Sequence, residues 1–249
     1  MSPMQLSKKM TFLSKSKDKV ALLDSDIICY RVGFASEDVS EHFALARVTE
    51  LVQDVVFVQL ECKEYKAYIT GKGNFRNEIA KTVPYKGNRK DMKKPIHYDA
   101  IRKHLQEKLG AELIEGMEAD DAIAIAATEL GDKSIIVSID KDLDQVAGLH
   151  YNFVKQELYE VTEQEGTLNF YKQILTGDRV DNIIGIKGIG PAKASKLLKD
   201  CSNALEMYDV CVKAYNDAGE DGLERVTENA NLLWLLRHKD QRWEKPVGN

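Results

Sequence analysis

Two short apolar runs that each end on carboxylates constrain the fold of this chain more than any other feature. Val20–Leu23 runs into Asp24, and the strand-like stretch Ser134–Ile139 runs into DKDLD. An apolar run of this length without alternation reads as a strand buried on both faces, which belongs in a parallel sheet covered by helices. Between the two runs, Leu45, Val48, Leu51, Val52, Val55 and Val56 recur at mostly helical spacing and predict one helix from Glu41 to about Leu60; Tyr65–Ile69 reads as a further strand. Helical spacing resumes at Tyr98, Ile101, Leu105 and Leu109, and Glu112–Ile114 is a short apolar piece. Ala119–Leu130 carries good helix formers with Gly131 as its stop, and Tyr151–Val154 reads as another strand. The expected fold is α/β: a mostly parallel central sheet flanked by helices, with its ligand site beyond the carboxyl ends of the strands.

Composition narrows the class. In 249 residues, 43% are apolar and 30% charged, enough to bury a sizeable core. No stretch approaches the roughly 18 unbroken apolar residues of a membrane span, and the polar leader has lysines with no apolar run behind them, so a cytoplasmic address is expected. Cys29, Cys62, Cys201 and Cys211 form no CxxC and read as reduced and mostly buried. After Thr176 the texture changes to glycine, isoleucine and lysine, with helices expected around Ala204–Tyr215 and Leu223–Arg237. An α/β core over residues 1–176, with a basic excursion at 72–98, and a smaller helical part over 177–249 are therefore expected.

Asp24, Glu118, Asp120, Asp121, Asp140, Asp142, Asp178 and Asp181 stand at four chain positions that an α/β sheet brings to one edge. A lone DD or DxD is ordinarily an N-cap or a solvated turn. Recurrence at four element ends is different, because close unpaired carboxylates repel one another and need either raised pKa values or bound cations. Oxygen donors select hard ions such as Mg2+ or Mn2+, and two such ions about 4 Å apart suit phosphodiester hydrolysis. An EF-hand is excluded, because DKDLDQVAGLH lacks the glycine and closing glutamate of that loop.

The net charge of −5 argues against a polyanionic ligand until its distribution is considered. Lys81, Lys86, Arg89, Lys90, Lys93 and Lys94 face a single acid, Asp91, in KTVPYKGNRKDMKK, with Lys72 and Arg76 just upstream and Tyr85 available to stack on a base. In IIGIKGIGPAKASKLL, Gly188 and Gly190 precede Pro191 at a helix start, and Lys187, Lys193 and Lys196 supply charge. Such a hairpin grips phosphates without reading bases. Neither a nucleotide P-loop nor GxGxxG fits it.

In this order, LLDSDIICYR, NFRNEIAKTVPYKGNRK, GMEADD, SIDKDLDQ and GDRVDNIIGIKGIGPAKA resemble the motifs of the 5′-nuclease family over roughly residues 20 to 200. That family comprises the flap endonucleases and 5′→3′ exonucleases of bacteriophages and of bacterial DNA polymerase I, and the phage branch is the nearest. The resemblance implies an α/β core with a helical arch and a C-terminal helix-hairpin-helix. It implies an enzyme hydrolysing DNA at 5′ flaps, 5′ overhangs or duplex junctions with two Mg2+ ions, for which Mn2+ substitutes, working as a monomer in a host-cell cytoplasm if of phage origin. Asp24, Glu118 and Asp120 would hold one metal, and Asp120, Asp140, Asp142 and Asp178 a second, with Asp121 and Asp181 behind them. Arg31 would lie near the incoming strand, Lys86 and Arg89 on the scissile phosphate, Tyr85 against a base, and Arg76 along the DNA. Lys187, Gly188, Gly190, Lys193 and Lys196 would hold the duplex, with K+ on the carbonyls of Ile186–Ile189. One departure stands out: Thr70 occupies the place of a family carboxylate, so weaker binding of the first metal, or help from Asp26, is expected. Two other readings remain beside the enzyme: a catalytically weak module that binds junctions or duplexes, and an RNA-directed 5′-nuclease.

Overall fold

The first apolar run, β1 (Val20–Asp24), is buried at every residue and lies inside the sheet. It pairs in parallel with β2 (Glu64–Thr70) on one side and with β4 (Ser134–Val137) on the other. β3 (Glu112–Ile114) extends the sheet beyond β2, and β5 (Gly148–Asn152) beyond β4, both in parallel. With β6 (Glu157–Val161) at the far edge, the six-stranded order is β3-β2-β1-β4-β5-β6. The connection 153–156 between β5 and β6 is too short for a parallel crossover, which makes the sheet mixed. The order runs outward in opposite directions from β1 and β4, so a topological switch point lies between their carboxyl ends. The structure, a computed structural model, describes residues 16–89 and 92–248. The polar leader before residue 16, and Lys90 and Asp91 of the basic stretch, lie outside the described residues.

Contacts divide the chain into two units. The first comprises 1–73, 93–143 and 148–160, and the second 74–92, 144–147 and 161–249. The boundary thus differs from the expected break at 176: the basic segment and helix Glu163–Thr176 belong with the carboxyl-terminal part. In the first unit, Ala21, Leu23, Val48, Val52, Ile69, Ile101, Leu105 and Ile135 form the core between sheet and helices. In the second, helices Glu163–Thr176, Pro191–Leu198, Ala204–Asp217 and Gly222–Leu233 enclose Phe170, Ile174, Leu198, Cys211, Tyr215 and Val226.

Several elements depart from the sequence expectation for identifiable reasons. The helix predicted to reach Leu60 is α-helical only over Glu41–Gln53 and then widens into a π turn over Asp54–Gln59. The wider turn closes with Leu60 N donating to Val55 O at 3.1 Å, and Leu60 lies in the core with Val55 and Val56. The fourth strand stops at Val137 because Ser138 turns its hydroxyl to Asp24 instead of continuing the ladder. Strand Tyr151–Val154 is displaced to Gly148–Asn152, where His150 is buried and stacks on Tyr159. Three cysteines are buried, Cys201 is half-buried, and all four are free thiols. Trp234 packs edge-on against Phe170 at 5.1 Å, and Trp243 stacks on Tyr208 at 6.0 Å, so both tryptophans serve packing. No helix among the described residues is long and apolar enough to cross a membrane.

Candidate functional site

Asp24 ends β1 at the switch point and caps the following helix, Ser25–Phe34, accepting from Ile27 N at 3.1 Å. Its other oxygen accepts from Ser138 Oγ at 2.8 Å, and Ser138 in turn accepts from Asp140 N at 3.0 Å. The serine therefore ties the loops after two neighbouring strands to one carboxylate. Asp24 is only 2% exposed, and its carboxyl is pushed up to about 7. Burial is the main cause, the charge of Asp26 adds to it, and that of Asp140 contributes less.

Glu118, Asp120 and Asp121 open helix Ala119–Leu130. Asp121 is fully buried and accepts from Glu118 N at 3.1 Å, while the Glu118 side chain accepts from the Asp121 amide, a reciprocal capping box. Asp120, at the first turn, is half-buried. Asp140 and Asp142 share the loop after β4, where Asp140 Oδ1 accepts from Asp142 N at 2.9 Å. Among the described residues, no three His, Cys, Asp or Glu side chains are grouped so as to hold a metal ion. The donor set still suits a hard divalent cation. It consists of carboxylate oxygens at one sheet edge, with a buried anion crowded by two further acids, so a cation there would relieve an electrostatic cost the fold already carries.

Thr70, at the end of β2, is a cap. Its hydroxyl accepts from Ala119 N at 2.9 Å and so satisfies an amide at the start of the helix that carries Asp120. Its own amide donates to Asp26 Oδ2 at 3.0 Å, and Arg102 binds both Asp26 Oδ1, at 3.1 Å, and Thr70 O, at 2.5 Å. The expectation that Asp26 helps a metal meets a physical obstacle: its two oxygens already face an amide and a guanidinium. Thr70→Val is expected to lower stability by about 1 kcal/mol through the lost cap, read as a drop in thermal midpoint. Ser138 and Arg102 were not singled out from the sequence. The signal for Ser138 was a lone hydroxyl between an apolar strand and an acidic loop.

Within the second unit, Asp178 Oδ1 accepts from Val180 N at 2.6 Å and Asp181 N at 3.1 Å, fixing the loop that presents Asp181. Asp181 binds Arg89 Nη2 at 2.6 Å and Tyr85 Oη at 2.8 Å, with Lys86 Nζ at 3.6 Å. Two expectations are corrected here. Tyr85 is 7% exposed and packs in the unit's core, so its ring is covered and does not stand ready for a base. Arg76 is 1% exposed and donates to Leu232 O at 2.8 Å and Trp234 O at 2.7 Å. It satisfies carbonyls at the end of helix Gly222–Leu233 and is no part of a DNA-facing surface. Among its described residues, the basic stretch forms a short helix, Arg76–Ile79, and a 3-10 turn, Gly87–Arg89.

Lys187, Lys193 and Lys196 are exposed, and Lys193 Nζ donates to Gly188 O at 3.2 Å. Gly188 has φ +80°, and Pro191 opens the helix behind the turn. Arg31 is exposed in the last turn of the helix capped by Asp24.

Known proteins resemble the chain in both sequence and fold. A 5′-3′ exonuclease of Buchnera aphidicola is 29% identical over 219 residues, covering 78% of this chain and 74% of the relative. DNA polymerase I of Caldicellulosiruptor bescii is 26% identical over 76% of this chain, which spans only 25% of that polymerase. The bacteriophage T5 flap endonuclease, solved with DNA and metal ions, superposes with a TM-score of 0.63 at 19% identity, over 88% of this chain and 89% of the phage protein. Residues 19–173 match the model of the 5′-3′ exonuclease N-terminal resolvase-like domain, and with that match over more than half its length the chain belongs to this family.

Proposed function

We propose that the chain is a structure-specific 5′-nuclease that hydrolyses DNA phosphodiester bonds at 5′ flaps, 5′ overhangs or junctions, assisted by two divalent cations. The observation that carries the reading is the buried, charge-crowded Asp24 at the switch point of a family sheet, with Asp120 and Asp140 at neighbouring element ends. Asp24, Glu118 and Asp120 would hold one Mg2+ or Mn2+, and Asp120, Asp140 and Asp142 the other. Bound there, such ions supply Lewis acidity toward a phosphodiester and a more acidic water. The chain's own contribution is orientation. Ser138 and Ile27 N fix the Asp24 carboxylate, and the capping box of Glu118 and Asp121 fixes the helix start beneath Asp120.

Lys86 and Arg89 supply cations for the phosphate of the strand to be cut, and Arg31 a further positive charge on an exposed helix end. Gly188, Gly190, Lys187, Lys193 and Lys196 suit a sequence-independent grip on the duplex backbone, the role of a helix-hairpin-helix. A K+ ion on that turn would share Gly188 O with Lys193. One observation favours a second reading, a junction-binding module with weak turnover: Thr70 caps a helix where the family pattern places an acid.

The deciding experiment incubates the full chain with a 5′-labelled flapped duplex across Mg2+ concentrations, beside an RNA flap of the same sequence. Short labelled DNA products that require Mg2+ are expected. Tight binding to the DNA flap without product in either Mg2+ or Mn2+ selects the binding module, and faster cleavage of the RNA flap selects an RNA-directed nuclease.

A further inference from the structure

Residues 84–89 and 178–182, all in the second unit, are joined into one hydrogen-bonded block. Lys86 N donates to Asp181 O at 2.9 Å, Asn88 Nδ2 to Arg179 O at 2.7 Å, Arg89 Nε to Val180 O at 3.0 Å, and Asn182 Nδ2 to Pro84 O at 2.8 Å. Lys86 and Asn182 both adopt left-handed backbone, at φ 51° and 59°. Side chains rarely hold that conformation unless their surroundings over-determine it, and these bonds do so.

At the centre of the block, three donors converge on one carboxylate. Asp181 Oδ1 receives Arg89 Nη2, while Oδ2 receives the Tyr85 hydroxyl and faces Lys86 Nζ. A guanidinium, an ammonium and a hydroxyl around two oxygens of one anion is also how proteins bind the two free oxygens of a phosphodiester. Two of these donors, Lys86 and Arg89, are moreover the cations proposed above for the strand to be cut.

We propose that Asp181 is an internal placeholder for a nucleic-acid phosphate: its carboxylate fills the anion seat of Tyr85, Lys86 and Arg89 until a phosphodiester displaces it. The inference rests on the nuclease reading for the identity of the ligand and adds a role for Asp181 that metal binding does not require. The aspartate keeps both cations aimed at one point before the strand arrives, so little rotamer freedom is lost on binding. It also competes with weakly held strands, which makes occupancy depend on a phosphate delivered by a well-placed duplex. Asp181 is thus a positioning residue, acting on the substrate through Lys86 and Arg89.

The test reads binding, not cleavage, so its outcome is separate from that of the flap assay. Anisotropy of a labelled single-stranded DNA oligonucleotide is followed in EDTA with the 249-residue chain. Asp181→Asn keeps an acceptor for Tyr85 and all the backbone bonds of the block, and is expected to bind about fivefold tighter once the competing charge is gone. In a Lys86→Ala, Arg89→Ala background the same change is expected to have no effect, because the seat no longer exists. Tyr85→Phe removes a donor that serves the placeholder and the phosphate alike, so affinity is expected to stay within about twofold of wild type. A gain of equal size in the double-alanine background would mean a general loss of negative charge and overturn the proposal, as would unchanged affinity of Asp181→Asn.

Discussion

Asp24→Asn is expected to stabilise the metal-free protein while sharply lowering the flap cleavage proposed for it. Asp24 is buried and lies beside the charges of Asp26 and Asp140, and its carboxyl sits above the usual range, at about 7. An acid whose folded-state pKa is raised burdens the fold wherever it is ionised in the unfolded chain but resists ionisation in the folded one. The burden is absent below pH ~4, grows as pH rises, and is complete near neutrality. Asparagine keeps an acceptor for Ile27 N and a polar partner for Ser138 and removes the charge. A gain of about 1–3 kcal/mol at pH 7 in EDTA follows, shrinking toward zero as pH falls to about 4. Turnover, by contrast, is expected to fall by about a hundredfold or more, since an amide in place of the carboxylate is a poor partner for a divalent cation even where its orienting bonds are kept. Mg2+ should raise the thermal midpoint of the wild type by mass action and leave that of the variant unmoved. A variant that is less stable than wild type in EDTA, or that still cleaves at the wild-type rate, contradicts the assignment of Asp24 as a carboxylate kept for a cation at the expense of stability.

The part of this site legible in the sequence is the part written in local pattern. Apolar runs ending in Asp24 and in Asp140 predict buried strands with acids at their carboxyl ends, and β1 and β4 lie next to each other in the sheet. Helix Ala119–Leu130 has the predicted limits, because its capping acids and its stop at Gly131 act within one turn of each end. What escaped was long-range or masked by chemistry. Arg76 reads as surface charge among lysines, yet it serves carbonyls of a helix end more than 150 residues away in sequence, which no local pattern encodes. Tyr85 looks exposed in a basic loop and is buried, because its hydroxyl has Asp181 to satisfy it. Helix Glu163–Thr176 was missed although its capping box of Thr162 and Glu165 stands in the sequence. Its polar first turns dilute the apolar period, so the change of texture after Thr176 reads as the boundary although the helix itself lies in the second unit.

The basic segment is anchored by a buried ion pair, and breaking that pair is expected to cost more stability than any other single polar change proposed for this protein. In the second unit, Glu228 accepts from Thr82 N and Lys81 N, both at 2.7 Å, and from Thr82 Oγ1 at 2.6 Å. Arg225 Nη1 pairs with it at 2.8 Å, and the two side chains are 9% and 4% exposed. Burial alone would raise the Glu228 carboxyl, but the hydrogen bonds of Thr82 and Lys81 and the charge of Arg225 outweigh it and hold the group below its usual value. Glu228→Ala strands Arg225 in a low-dielectric site and leaves two amides unsatisfied, so a loss of about 3–5 kcal/mol, or roughly 10 °C in thermal midpoint, is expected. A depressed carboxylate stabilises the fold in its charged form: the contribution is complete above the ordinary glutamate value of about 4.3 and is lost as pH falls through the lower folded-state value. Urea unfolding at pH 7, 5 and 3.5 should therefore show the gap between wild type and Glu228→Gln constant down to about pH 5 and then closing. A gap that widens on acidification would mean that Glu228 is held neutral in the fold and that Arg225 draws its balancing charge from Glu220 alone, 2.9 Å away.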